Sequence, residues 1–440
     1  MNRARFAYPM NRLGDVYAAK RQYKEAIDAY NRTLKLNPDY LPALNGLGNA
    51  QMAFNRFNEA IQSYNKAIKL DPNNISLLNN LGKAFAVQGK FDEAISIYHR
   101  ALKLDSKNNV LSLIGLGDVY VQTSKWRTAR DMYEKSLEIS IDTRDLKSEA
   151  KSRMSIGRVD EKEGKLDQAI EAYKNSLDIF TDLKDTSGKS LTLMYLGVAN
   201  AKQGKFDEAT KIYKSALELF TKQGNLIDEG KIYLGLGNVS GQLGRFPEAL
   251  EYYNNALEIF KTLNDNYYRA IVLGNMGNIY AQENNFDEAL ALYKESIQIA
   301  IDLGNRESEA TMLLNLGSLY GRMGSSEDSI ENYNKALKIF EEIGDKFGEA
   351  QIKTNLGAIY FQKKDLDKAE RLYNDALTTQ YLLGDTMGLV DTLKKMGLLY
   401  EEKKEKEKAI SFWQEALKRI DQKSQEYKDV ESLLKAIEEK

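Results

Sequence analysis

The chain has 440 residues, 29% of them charged and 42% hydrophobic, with 26 Tyr and 15 Phe, so it can bury a substantial core. Its 62 Lys and Arg against 64 Asp and Glu leave a net charge of −2, which speaks against a surface built to neutralise nucleic-acid phosphates. Zero Cys excludes disulfides and thiolate chemistry, and the lone His99 excludes a His-rich metal site.

From the N terminus onward one pattern repeats. A Gly preceded by Leu, Ile or Met stands at Gly14, Gly48, Gly82 and Gly117, then every 40 residues from Gly157 to Gly397. Twelve residues after each is Ala, except Ser329, and sixteen after it is Tyr, except Trp413. These phases predict two helices per repeat. A turn seven residues after the Gly is marked by Gly89, Gly164, Gly204, Gly244 and Gly324, with Asn55 and Asn284 in the same role, because Gly and Asn accept the left-handed backbone that closes a helix. Acidic residues open the second helix, as in FDEA at 91–94, 206–209 and 286–289, where they complement the helix dipole. A Gly inside a helix costs about 1 kcal/mol against Ala, so eleven at one phase require a packing reason. The expected reason is close approach of paired helices, with the Tyr filling the adjacent gap.

The early repeats are 34 or 35 residues apart and the later ones 40. In the longer repeats the second turn carries Asp145, Asp185, Asn225, Asp265, Asn305, Asp345 and Asp385 at one phase, which predicts an N-cap for each following helix. The six added residues lengthen the helices by about 9 Å in total. The expected organisation is three standard repeats over 1–109, about eight mostly long repeats over 110–423, and a capping helix over 424–440.

The spacing L-G-x-x-Y followed by A-x-x-x-Y resembles the tetratricopeptide repeat family over roughly residues 7–429. That resemblance implies an all-α, right-handed superhelical solenoid of about eleven helix-turn-helix repeats. The long repeats, for example LGNRESEATMLLNLGSLY at 303–320, are similar to those of the Leu-Gly-Asn spindle-orientation adaptors. Kinesin light chains and bacterial Rap-type regulators also use long repeats, and all three relatives bind peptides or protein segments. The implied function is a non-enzymatic interaction scaffold that binds an extended peptide segment of a partner in its concave groove.

The resemblance also implies which residues line that groove: those six, three and two before the Gly, and one and four after it. On that phase Asn275, Asn315 and Asn355 stand two before, and Asn238 and Asn278 one after. Stacked amides offer both donors and acceptors to a peptide backbone, although the same Asn could instead bridge neighbouring helices. Asn45, Asn49 and Asn79 form a second polar patch, together with Asn80. Repeats 4–6 offer an apolar patch instead: Leu111, Ile114, Met154, Leu191, Met194, Tyr195 and Val198, beside Lys151 and Arg158. Recognition of an acidic C-terminal tail is disfavoured, because Asn11, Asn45 and Asn79 occupy the position where such grooves carry Lys.

No catalytic signature survives scrutiny. The sequence suggests no Ser, Cys or Asp constellation around His99, and GLGDVY and GLGNVS are helix-interior glycines without the strand or GK[ST] of a phosphate loop. No cofactor or metal is expected. No apolar run reaches the roughly 18 residues of a membrane span, and the N terminus lacks a secretory apolar stretch, so a soluble cytoplasmic protein without membrane insertion is the expectation. Two rivals stay open: a peptide-sensing regulator that changes conformation on binding, and a solenoid that self-associates through its ends.

Overall fold

In each repeat the fold starts from two apolar stripes. The second helix of repeat 7, Phe246–Thr262, buries Ala249, Tyr253, Ala256, Leu257 and Phe260, spaced to fall on one helical face. Its partner Leu226–Gln242 buries Ile232, Leu234, Leu236, Gly237 and Val239. Neither stripe can be covered alone, so the helices pair and the pairs stack. The computed structural model describes residues 7–20, 22–105, 109–420, 422 and 424–438, and among these it contains 23 helices and no strand. No described helix is long and apolar enough to cross a membrane.

The key glycines have a more specific role than close helix approach. A Cβ placed on Gly237 would lie 2.5 Å from the Tyr253 ring, and one on Gly117 would lie 2.4 Å from Tyr133. The Tyr ring itself therefore rests on bare helix backbone, with the fully buried Ala beside it, as at Ala249. In the last repeat Trp413 takes the same seat on Gly397 and is also fully buried.

Both predicted turns form. Gly89, Gly164, Gly204, Gly244, Gly324, Asn55 and Asn284 all have positive φ. So do Ser124, Lys364 and Lys404 at the same phase, which the composition of the turn did not announce. There the packing of the paired helices imposes a left-handed residue at a cost of roughly 1–2 kcal/mol. At the second turn all seven Asp and Asn accept a hydrogen bond from the backbone N–H of the next helix, as Asp265 does from Tyr268 at 3.1 Å. Second helices mostly lack a side-chain cap, as at Arg245, and rely on first-turn acids such as Glu248.

The long repeats gain more helix than the inserted residues supply. Repeat 5 has two helices of 17 residues against 13 and 14 in repeat 2. The turn between repeats contracts by one residue to make the difference. Lengthening begins in the middle of repeat 4, whose first helix, Val110–Gln122, has 13 residues and whose second, Trp126–Asp142, has 17.

The chain divides into two compact units, residues up to 223 and residues from 224 onward. This division does not coincide with the change in repeat length. The first unit holds six helix pairs; the second holds five and a terminal helix, Gln425–Glu438. That helix buries Val430, Leu434 and Ile437 in a cluster with Trp413 and Ala416, so it covers the apolar end of the last repeat. Within each unit, first helices also touch the first helices of the next repeat, whereas among the described residues second helices show no comparable contact with one another. The first helices therefore lie on the inner face of the stack, which turns their outward side chains into a groove floor.

Candidate functional site

The groove floor is organised by the tyrosines. Their rings are buried, and in six repeats the hydroxyl reaches the floor fifteen residues back, at the side chain one after the key Gly. Tyr253 donates to Asn238 Oδ1 at 2.9 Å and Tyr293 to Asn278 Oδ1 at 2.6 Å. Tyr64 donates to Asn49 at 2.7 Å, Tyr30 to Asp15 at 2.9 Å and Tyr133 to Asp118 at 2.7 Å, while Tyr333 and Ser318 share a bond of 2.9 Å. Burial pushes these phenols above the usual tyrosine range, so they stay protonated and can donate. The Tyr is thus more than the gap filler that its spacing suggests; the available signal was a side chain able to accept a hydrogen bond, fifteen residues before it in six repeats.

In repeats 7–9 of the second unit the floor carries paired amides. Asn275 Nδ2 donates to Asn238 Oδ1 at 2.9 Å, and Asn315 Nδ2 to Asn278 Oδ1 at 3.3 Å. Each acceptor is thus held by its own Tyr and by the Asn of the next repeat. The expected bridging between helices and the expected ladder are here the same atoms. Asn355 does not extend the chain of bonds: the residue one after the Gly in the preceding repeat is Ser318, shorter than Asn, and Asn355 makes no side-chain hydrogen bond among the described residues.

In the first unit the polar patch and the apolar patch are less uniform. Asn45 Oδ1 accepts from Asn80 at 3.0 Å. Asn79 donates to Asn109 at 3.4 Å and accepts from Ser112, tying it to the start of the following repeat. Of the apolar residues, Leu111 is exposed, and Ile114, Leu191, Tyr195 and Val198 are half-buried. Met194 and Met154 are buried, so they are part of the packing and not of an open patch. Met154 belongs to a core cluster with Tyr173 and Leu196, against which Leu191 also packs.

Beside these apolar residues, the floor of repeats 4 and 5 also carries charge. Arg158 lies 3.4 Å from Asp118 and sits over the Tyr195 ring at 5.2 Å. An arginine has no acceptor for a phenol, so Tyr173 turns to Glu161 at 3.1 Å, which also pairs with Lys202 at 2.8 Å. Burial raises the Asp118 carboxyl above its ordinary range, against the lowering pull of Arg158, Tyr133 and Lys83. Lys151 is lowered, first by burial and then by Lys147 and Lys83. Among the described residues no group of three or more His, Asp or Glu is placed to hold a metal.

The tetratricopeptide repeat profile matches residues 74–142, 148–222, 228–302, 308–381 and 349–422; a second profile of that description matches 7–40, and a TPR repeat profile matches 52–89. No curated protein matches the chain. Among solved structures, BtubC (BKLC) from P. vanneervenii is similar at 20% identity and a TM-score of 0.44, over 50% of this chain and 92% of that one. MamA is similar at 27% identity and a TM-score of 0.32, over 39% of this chain and 97% of that one. The profiles span most of the sequence, and this chain belongs to the tetratricopeptide repeat family, whose repeats serve in general as protein–protein interaction scaffolds and are generally non-enzymatic.

Proposed function

We propose that the chain is a non-enzymatic adaptor that holds an extended segment of a partner protein on the groove floor of the second unit. The observation that carries this reading is the paired fixing of Asn238 with Asn275 and of Asn278 with Asn315. In each pair the first amide has its oxygen taken twice and keeps its N–H groups. The second keeps its oxygen. An extended backbone offers one N–H and one C=O per residue, so one donor and one acceptor, repeated at the spacing of the repeats, match it whatever its side chains. Small neighbours at Gly235 and Ser318 let a backbone approach.

The test begins with affinity capture from the source cell's lysate, read by mass spectrometry. Wild type runs beside the Asn275→Ala, Asn315→Ala, Asn355→Ala triple variant, with both checked for equal helicity. The recovered partner segment is then titrated by calorimetry. Loss of the two bridging amides should weaken binding by about 1–3 kcal/mol. Equal affinity for the two proteins would remove the amide ladder from the account.

A further inference from the structure

At the start of the first unit, the inner face of repeats 1 and 2 carries an open pocket of about 540 Å³. Its lining includes Tyr8, Tyr23 and Tyr40 together with Asn11, Arg12 and Asp15. Asn11 is only 5% exposed, and its Oδ1 is buried with no hydrogen-bond partner. The orientation of that amide is not arbitrary. Its Nδ2 donates to Asp15 Oδ2 at 3.3 Å, and turning it over would set an amide oxygen against a carboxylate. What this oxygen lacks is therefore a donor.

Asp15 asks for the same thing. Its Oδ1 takes the Tyr30 hydroxyl at 2.9 Å, and among the described residues its charge is met by Arg12 alone at 3.3 Å, in a pair whose side chains are 65% and 40% exposed. Such an exposed pair contributes little and exchanges readily. A carboxylate and an orphaned amide oxygen repel an anionic ligand. An alkylammonium has three donors and no acceptor, and its charge is attracted to the faces of tyrosine rings.

We propose that this pocket binds a primary ammonium on an alkyl or peptide stem, carried by a partner segment as a lysine side chain or a free amino terminus, with Asp15 and Asn11 Oδ1 as acceptors and the lining tyrosines beside them. The site lies within residues 8–50, is independent of the amide ladder, and holds or fails whatever becomes of that reading. It also displaces Arg12, the cation already beside Asp15.

The test uses the full chain labelled with 3-fluorotyrosine and followed by fluorine NMR, with signals assigned by Tyr→Phe variants. The probes are n-butylammonium chloride, n-butanol as its neutral counterpart, and acetate, at constant ionic strength. Saturable shifts of the Tyr8, Tyr23 and Tyr40 signals are expected with n-butylammonium alone. Asp15→Asn keeps an acceptor for Tyr30 and should weaken binding at least about ten-fold. Arg12→Ala removes the internal competitor and should tighten binding, up to about five-fold. Asn11→Leu should also weaken it; should that variant lose helicity, the decision rests on the other two. An equal response to n-butanol, unchanged affinity in Asp15→Asn, or acetate binding that Arg12→Ala abolishes would each overturn the proposal. Competition with acetyl-Gly-Lys-Gly-amide and with Gly-Gly-Gly-amide then distinguishes a side chain from a chain terminus. Displacement by neither counts against a protein-borne ligand.

Discussion

Tyr133 and Tyr253 occupy the same phase in the two units, rest on the same kind of bare glycine, and deliver a hydroxyl to the same place on the floor. What they meet differs. In the first unit the hydroxyl reaches Asp118, which is paired with Arg158; in the second it reaches Asn238, which is paired with Asn275. The pairing of the residue one after the Gly with the one two before the next Gly also recurs, as a cation over a ring for Arg158 and Tyr195 and as an amide bond for Asn238 and Asn275. One buried frame thus presents a charged pair at Asp118 and Arg158 and neutral amides at Asn238 and Asn275. The frame is set by packing, and the floor is free to vary because it faces solvent.

If the frame is common, Gly117→Ala and Gly237→Ala should cost alike. A Cβ at either position overlaps a ring that has nowhere to go, so each should destabilise its repeat by about 1–3 kcal/mol. Helix propensity alone predicts the opposite, a gain near 1 kcal/mol. Urea unfolding combined with hydrogen exchange in the altered repeat distinguishes the two. Tolerance of one substitution and not the other would break the comparison.

A smaller effect sharpens it. Tyr133→Phe removes a hydrogen bond to a carboxylate, in the class worth about 1.5–3 kcal/mol, reduced towards the low end because Asp118 is 43% exposed. Tyr253→Phe removes one to a neutral amide, about 0.5–1.5 kcal/mol. The first should shift the unfolding midpoint more than the second; the reverse order would mean that the floors do not differ in charge as described.

The smallest effect is a dependence on pH. Burial holds the Asp118 carboxyl above its ordinary range, so ionising it costs the folded state more than the unfolded one. That cost is absent below the ordinary carboxylate range and is present once pH has risen past the folded value. Asp118→Asn should therefore gain on wild type in thermal stability between acid and neutral pH, by no more than about 1 kcal/mol at an accessible site. A gap that stays constant or closes as pH rises would show that the Arg158 pair outweighs the burial.

Much of the fold was legible in the chain. Period, helix pairing, the left-handed turns at Gly and Asn, and the seven Asp and Asn caps all depend on local chemistry, and local chemistry is written along the sequence. Ser124, Lys364 and Lys404 were not legible as left-handed residues, because helix packing and not their own preference puts them there. The site was legible in outline, since phase alone placed the Asn residues on first helices. Its exposure was not. Met194 carries the groove phase and is nonetheless buried, because a neighbour's bulk decides how far a side chain reaches the surface.

The sequence by itself therefore determined the repeat, its helices and their caps, all of which follow from contacts a few residues apart. Only the tertiary structure decided that the tyrosines are the supports of the groove floor, that Asn275 and Asn315 find acceptors while Asn355 does not, and that Asn11 keeps a buried oxygen without a donor. Those outcomes depend on which side chains meet across neighbouring helices, at separations of 15 to 40 residues. Distances of that kind are set by the stacking of whole helices and not by any residue's own preference.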